Sequence, residues 1–329
     1  MTPPPFTITS KAVNLIAEIT ALLERHNIAL ESEQGVVLRK ANRIKTIHSS
    51  LAIEGNSLSE SEVADIINGK NVIAPIKQIQ EVKNAIKVYD AYPSLNPYAE
   101  KDLLKAHGIM MEALTDDSGK YRSTGVGVFG DNGLIHMAPP PQMVPGLMSN
   151  LFNWLKNSDD HLLIRSCVFH YEFEFIHPFS DGNGRTGRLW QSLILGQLNP
   201  IFEHLPVENM VYANQQAYYN AIAESTARAD SAPFIEFMLG EISQSLKRLP
   251  TKKVANKVTD KVTNKKTEKS KATVLKLLIG NPHLTIGDLA EKTGLSVSGI
   301  KKILASLKSS GLISREGSNK TGSWRVIDR

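Results

Sequence analysis

Cysteine is almost absent from this 329-residue chain, in which Cys167 stands alone. A single thiol excludes an intramolecular disulfide framework and fits a reducing compartment. It lies in an apolar, helix-patterned stretch, the setting of buried filler rather than of a reactive thiolate. No run approaches the roughly 18 apolar residues that a membrane-crossing helix needs. The start, Met1-Thr-Pro-Pro-Pro-Phe6, lacks the basic and apolar blocks of a secretory signal. The expectation is a cytoplasmic protein with no membrane partner. Also missing are G-x-x-x-x-G-K-[ST] and a strand running into G-x-G-x-x-G, so two common phosphate-cradling motifs are excluded. Acidic residues are scarce from Thr251 onward, with 6 Asp and Glu against 17 Lys and Arg, a net of +11 that leaves −6 for residues 1–250. A mildly acidic body and a strongly basic tail mark a domain boundary and raise nucleic acid as a partner of the tail.

The richest stretch is Phe175 to Arg188, Phe-Ile-His-Pro-Phe-Ser-Asp-Gly-Asn-Gly-Arg-Thr-Gly-Arg. Helix-like apolar spacing precedes it and resumes after it, and Pro178 breaks the first helix. The stretch therefore reads as a tight loop feeding a helix N-terminus. Gly182 and Gly184 around Asn183 let successive N–H groups turn into one concavity, and the helix terminus adds free donors suited to phosphate. Arg185 and Arg188 fall on one helix face, where two guanidiniums can clamp different phosphates. Asp181 is a hard oxygen ligand of the kind a phosphate-bound Mg²⁺ uses. His177, neutral near pH 7, can accept a proton from an incoming hydroxyl. With no Cys or Lys in the loop and Ser180 carrying no sign of an activated nucleophile, direct transfer to an external hydroxyl is the simplest chemistry.

Over His177 to Arg188 the sequence resembles the full signature of Fic-domain proteins, which transfer AMP from ATP to protein hydroxyls. The resemblance implies a mainly α fold, a Fic-type helical bundle with a β-hairpin flap, here joined to a small winged-helix domain. It implies His177 as general base, Phe179 as core anchor and Asp181 as Mg²⁺ ligand. Gly182, Asn183 and Gly184 would form the anion nest, with Arg185 and Arg188 on the phosphates of ATP. A second resemblance lies upstream: Ser50-Leu-Ala-Ile-Glu54-Gly55 matches the family's inhibitory helix, Ser/Thr-x-x-x-Glu-Gly/Asn, within about residues 44–56. There Glu54 would pair with Arg188 and block the γ-phosphate position.

Asp131-Asn132-Gly133 between two short apolar runs signals a hairpin. In the family this is a flap, so residues 125–137 would dock a target protein as an added strand. Tyr218 and Tyr219, on a helix expected over 212–227, would lie near an adenine pocket by resemblance, and aromatic core is the alternative. His107, on a helix expected over 101–114, reads as a packing or surface residue. Ser57-Leu-Ser-Glu60 reads as a capping box.

Residues 251–271 are a basic, apolar-poor linker. Beyond it, three helical patterns and a terminal hairpin, Gly311 to Ile327, resemble a winged helix-turn-helix. Ser296, Ser298, Lys301 and Lys302 would face a major groove and Arg315 and Lys320 the phosphates, although such domains also dock proteins. The expected organisation is residues 1–100 (helical, carrying the inhibitory segment), 101–250 (catalytic core), 251–271 and 272–329. The expected function is AMP transfer from Mg·ATP to a Ser, Thr or Tyr hydroxyl of a protein, self-modification included, held down by Glu54. Removal of AMP and an ATP-sensing DNA-binding regulator are the alternatives, and a homodimer is left open.

Overall fold

The computed structural model describes residues 3–27, 34–130, 133–205, 207–249, 270–271, 273–309, 312–316 and 323–326. The chain divides into two compact units, Met1–Leu249 and Pro250–Arg329.

The first unit is built around one helix. Residues Leu162–Ile176 (α7) bury Leu163, Ile164, Cys167, Val168, Phe169, Phe173 and Ile176, and a helix apolar on all sides needs neighbours on all sides. They are α6 (Val144–Asn157), α8 (Asn183–Gly196) and α11 (Ala232–Arg248). Trp190 of α8 is fully buried and donates its indole N–H to Pro97 O at 3.0 Å. Cys167 is core filler, its thiol pushed up to about 12 by burial. Outside this layer, α1 (Ser10–Asn27) packs on α11, and α5 (Glu100–Met110) packs on α6 and α8.

A smaller apolar cluster joins α2 (Gln34–Ala52), α3 (Glu60–Ile67) and α4 (Ile76–Ala91) through Ile47, Leu51, Leu58, Val63, Val82 and Ala85. This cluster fixes the turn that follows α2, on which Glu54 stands. The capping box of α3 is shifted from its expected place. Ser59 is the cap and Glu62 its partner, with Ser59 N donating to Glu62 Oε2 at 2.8 Å. Ser57 instead donates to Gln78 Oε1 at 3.1 Å. The helix expected over 212–227 is two helices, α9 (Val207–Ala213) and α10 (Gln215–Arg228), with Asn214 between them.

Strands β1 (Gly127–Gly130) and β2 (Gly133–Met137) pair antiparallel, Val128 opposite His136, with a register shift after Val128. The expected tip residues Asp131 and Asn132 lie outside the described residues.

In the second unit a helix over 273–280 (α12) precedes α13 (Ile286–Thr293) and α14 (Val297–Ser309), followed by the antiparallel pair β3 (Ile313–Glu316) and β4 (Ser323–Val326). Thr285 and Asp288 cap α13 reciprocally, and left-handed Gly294 makes the turn into α14. Val274, Leu278, Leu289, Ile300, Ile303, Leu304, Leu307 and Ile313 form the core. Ser296, Ser298, Lys301 and Lys302 are exposed together. The Arg315 guanidinium sits 4.6 Å above the Trp324 ring. Lys320 and residues 251–269 of the linker lie outside the described residues.

Candidate active site

His177 ends α7 in the left-handed conformation, φ 49° and ψ 62°. Pro178 disfavours the right-handed helical region for the residue before it, and a non-glycine at positive φ is strained. Arg122 offsets that strain. Its buried guanidinium donates to four carbonyls: Nε to His177 O at 2.7 Å, Nη1 to Thr124 O at 2.9 Å, and Nη2 to Pro139 O and Ile176 O at 2.6 and 3.3 Å. Its own N–H reaches Pro178 O at 2.9 Å. One side chain thus ties the end of α7 to the base of the hairpin. Replacing Arg122 with Ala is expected to cost about 3 kcal/mol, since hydrogen bonds from a buried cation are lost and carbonyls are orphaned. Urea denaturation would measure it, and a loss under about 1 kcal/mol would show that the loop holds without it.

The loop closes on itself. Asn183 accepts from Phe179 N at 2.9 Å and donates to Phe179 O at 2.8 Å, so its side chain shapes the loop and its expected place in the nest falls to its backbone. Phe179 is fully buried and stacks on His107, ring centroids 3.6 Å apart. His107 accepts from Gly119 N at 2.9 Å and donates to Asp181 O at 3.0 Å, a floor under the loop. Burial lowers its pKa, which fits this neutral, doubly bonded ring. Gly182 starts α8 at φ 82°, and a Cβ there would meet Met111 Sδ at 2.6 Å, so only glycine fits.

The two arginines are buried on α8, each facing carboxylates. Arg185 Nη2 lies 3.1 Å from Asp181 Oδ1, and Nη1 lies 3.7 Å from Glu81 Oε1 on α4. Arg188 Nη2 donates to Glu54 Oε1 and to Ser50 O, both at 2.9 Å, and Nε reaches Ser50 Oγ at 3.4 Å. A Cβ on Gly184 would stand 2.5 Å from Glu54 Oε1 and 2.9 Å from Arg188 Nη1. Glycine at 184 leaves room for this contact. Gly55 follows in the left-handed region at φ 86°.

Asp181 is exposed, with Oδ1 accepting from Gly182 N at 2.6 Å. One exposed carboxylate beside this loop is a hard oxygen donor of the kind a phosphate-bound Mg²⁺ uses. Among the described residues no group of three or more His, Cys, Asp or Glu could hold a metal ion.

Tyr218 is 3% exposed, packs on Phe234 and Phe237, and donates its hydroxyl to His170 Nε2 at 3.0 Å. His170 in turn meets Gln191 Oε1 at 2.7 Å, and burial pushes its pKa down to about 4. Of the tyrosine pair, Tyr218 belongs to this core network and half-buried Tyr219 lies against it. Sequence reasoning missed Arg122, Glu81, Glu174 and the His170–Gln191–Tyr218 network.

The helical body gathers a glycine-flanked turn and two buried guanidiniums at the start of α8, with His177 across the loop at the end of α7. The Fic/DOC family matches residues 94–195, and a winged helix-turn-helix DNA-binding family matches residues 269–314. A crystal structure of a Fic family protein from Desulfovibrio desulfuricans G20 is 40% identical, superposes with a TM-score of 0.80, and aligns over 100% of this chain and 99% of its own. The chain belongs to the Fic family. A probable protein adenylyltransferase of Aquifex aeolicus is 26% identical over 208 residues, covering 63% of this chain and 58% of that protein. The protein adenylyltransferase Fic of Nematostella vectensis is 28% identical over 204 residues, 58% of this chain and 45% of that protein. The chain spans about half the length of the curated relatives it matches. Among the described residues no helix is long and apolar enough to cross a membrane.

Proposed function

We propose that the chain transfers AMP from Mg·ATP to a Ser, Thr or Tyr hydroxyl of a protein, itself included, and that Glu54 holds the reaction down. The observation that carries this reading is Arg188, gripped by Glu54 and Ser50 one turn into the helix that follows the Gly182–Gly184 turn. Two curated relatives bear the name protein adenylyltransferase.

In this reading the backbone of Gly182, Asn183 and Gly184 and the side chains of Arg185 and Arg188 hold the phosphates and stabilise the charge that develops on the leaving oxygen. Asp181 would hold Mg²⁺, which supplies charge neutralisation at the phosphates when bound. The target lies along the 125–137 hairpin and presents its hydroxyl to His177, whose Nδ1 faces Glu174 O at 3.4 Å and whose ring takes the proton at Nε2 in this reading. Removal of AMP would use the same groups in reverse, with Glu54 aligning water.

Labelling from α-³²P-ATP with Mg²⁺ tests the reading. Wild type is expected to label itself weakly and Glu54→Gly strongly. A Glu54→Gly chain that labels neither itself nor any protein in a cell lysate would sink it. A DNA-binding regulator that senses ATP is the second reading, supported by the exposed Ser296, Ser298, Lys301 and Lys302 at the start of α14. A DNA affinity that falls steeply with salt would mark it.

A further inference from the structure

Glu174 lies on the last turn of α7 with its carboxyl turned inward, its side chain 8% exposed. Among the described residues Oε1 is buried without a hydrogen-bond partner. Gly187 makes the space for it, since a Cβ there would stand 2.7 Å from Glu174 Oε1. A buried acid whose oxygen has no donor is costly to fold around, and such groups mark sites of chemistry or strain. The other oxygen, Oε2, is 3.9 Å from His177 Nδ1, the nitrogen that the Glu174 carbonyl also faces at 3.4 Å. One residue therefore brings two oxygens to the same ring nitrogen.

We propose that Glu174 is a positioning residue for AMP transfer, its carboxylate orienting the His177 ring through Nδ1–H and stabilising the imidazolium that forms on proton uptake. The inference rests on the transferase reading. In that step the target oxygen forms its bond to the α-phosphorus and the bond from phosphorus to the bridging oxygen breaks. Pyrophosphate departs with that electron pair, and the hydroxyl proton moves to His177 Nε2. The positive charge that appears on the ring is balanced inside the site, as a buried carboxylate does for the imidazole of a catalytic triad.

The charged and titratable groups around Glu174 come from every side: His170 on α7, with Nε2 at 3.8 Å, His177 after it, Arg188 on α8, Tyr218 and Tyr219 on α10 and Glu54 after α2. Burial raises the Glu174 pKa most, Arg188 lowers it and the Glu54 charge raises it, giving about 8. Departure of Glu54 removes one of the causes that keep the acid neutral.

The test is Glu174→Gln made in the Glu54→Gly chain, followed with α-³²P-ATP and Mg²⁺ across pH. An amide keeps the shape of the neutral acid, so KM for ATP is expected to stay within about twofold while kcat falls about 100-fold, within the usual reach of acid–base assistance. The rate rise through the Glu174 ionisation should disappear in Glu174→Gln and persist in Glu174→Asp. An unchanged thermal midpoint shows an intact fold. Where the Gln chain does not fold, the Asp profile carries the test, and a profile without the rise overturns the proposal. Unchanged kcat in Glu174→Gln overturns it, and so does a raised KM at unchanged kcat, which would tie Glu174 to Arg188 and the phosphates. A Glu54→Gly parent that transfers nothing fails the transferase reading itself and takes this inference with it, a result visible before the second substitution is made.

Discussion

In the Glu54→Gly chain, His177→Ala is expected to slow AMP transfer by about 10³-fold, in the middle of the range for losing a positioned general base. The substitution should leave Mg·ATP affinity within about twofold, because binding that is uniform along the reaction does not depend on the proton acceptor. The geometry supports that separation. The backbone groups and guanidiniums assigned to the phosphates belong to Gly182 through Arg188, at the start of α8. His177 stands across the loop at the end of α7, with its ring 21% exposed. Its carbonyl is held by Arg122 and its N–H by Phe173 O at 2.9 Å, so removing the ring leaves the loop's anchors in place. Alanine inherits the same left-handed strain as histidine, so the thermal midpoint is expected to move little. Single-turnover labelling and calorimetric titration with Mg·ATP would separate the two effects. Transfer within tenfold of the parent would mean that the proton leaves by another route, and the assignment of His177 would fall.

The loop and helix start over residues 177–188 were legible in the sequence because their geometry is written in local spacing. Two glycines around Asn183, two arginines one turn apart and a histidine before Pro178 need no tertiary knowledge to be placed together. Glu54 was legible only through resemblance, because its partner lies 134 residues away and nothing in Ser50-Leu-Ala-Ile-Glu54 itself names Arg188. Arg122 carries no such signal: in Gly119-Lys-Tyr-Arg122 it reads as one more surface cation, yet it is 3% exposed and gathers the end of α7 and the base of the hairpin. His107 was read as packing or surface, and it packs, but against Phe179 and the Asp181 carbonyl, directly beneath the loop. Glu174 and His170 sit on a helix whose apolar residues cover every face, and periodicity cannot single out polar positions on a helix buried all round. The misplaced capping box has a local cause. Both Ser57 and Ser59 precede a Glu three residues on, and the packing of Leu58 into the small cluster of α2, α3 and α4 decides between them.

Glu54→Gly is expected to lower the Kd for Mg·ATP about 10- to 100-fold, a coupling of roughly 1.4 to 2.8 kcal/mol. The size follows from what Arg188 gives up. Burial pulls the Arg188 pKa down most strongly, and the Glu54 charge and hydrogen bond, together with Tyr218 and Glu174, more than offset it, leaving the pKa raised. A γ-phosphate seeking the same nitrogens must displace a carboxylate at 2.9 Å and accept its repulsion if the carboxylate stays near. The gain is smaller than the full cost of breaking a buried pair, because the Glu54 side chain is 31% exposed and can swing into water. Ser50 is unaffected, since its carbonyl and hydroxyl belong to α2 itself, so in the variant Arg188 remains oriented and phosphate meets a preformed donor. ADP distinguishes this mechanism from a general opening of the site. Lacking the γ-phosphate, it should gain much less affinity than ATP from the same substitution. Equal gains for ADP and ATP would mean that Glu54 closes the whole pocket rather than the γ position, and no gain for either would leave the Glu54–Arg188 pair as structure alone.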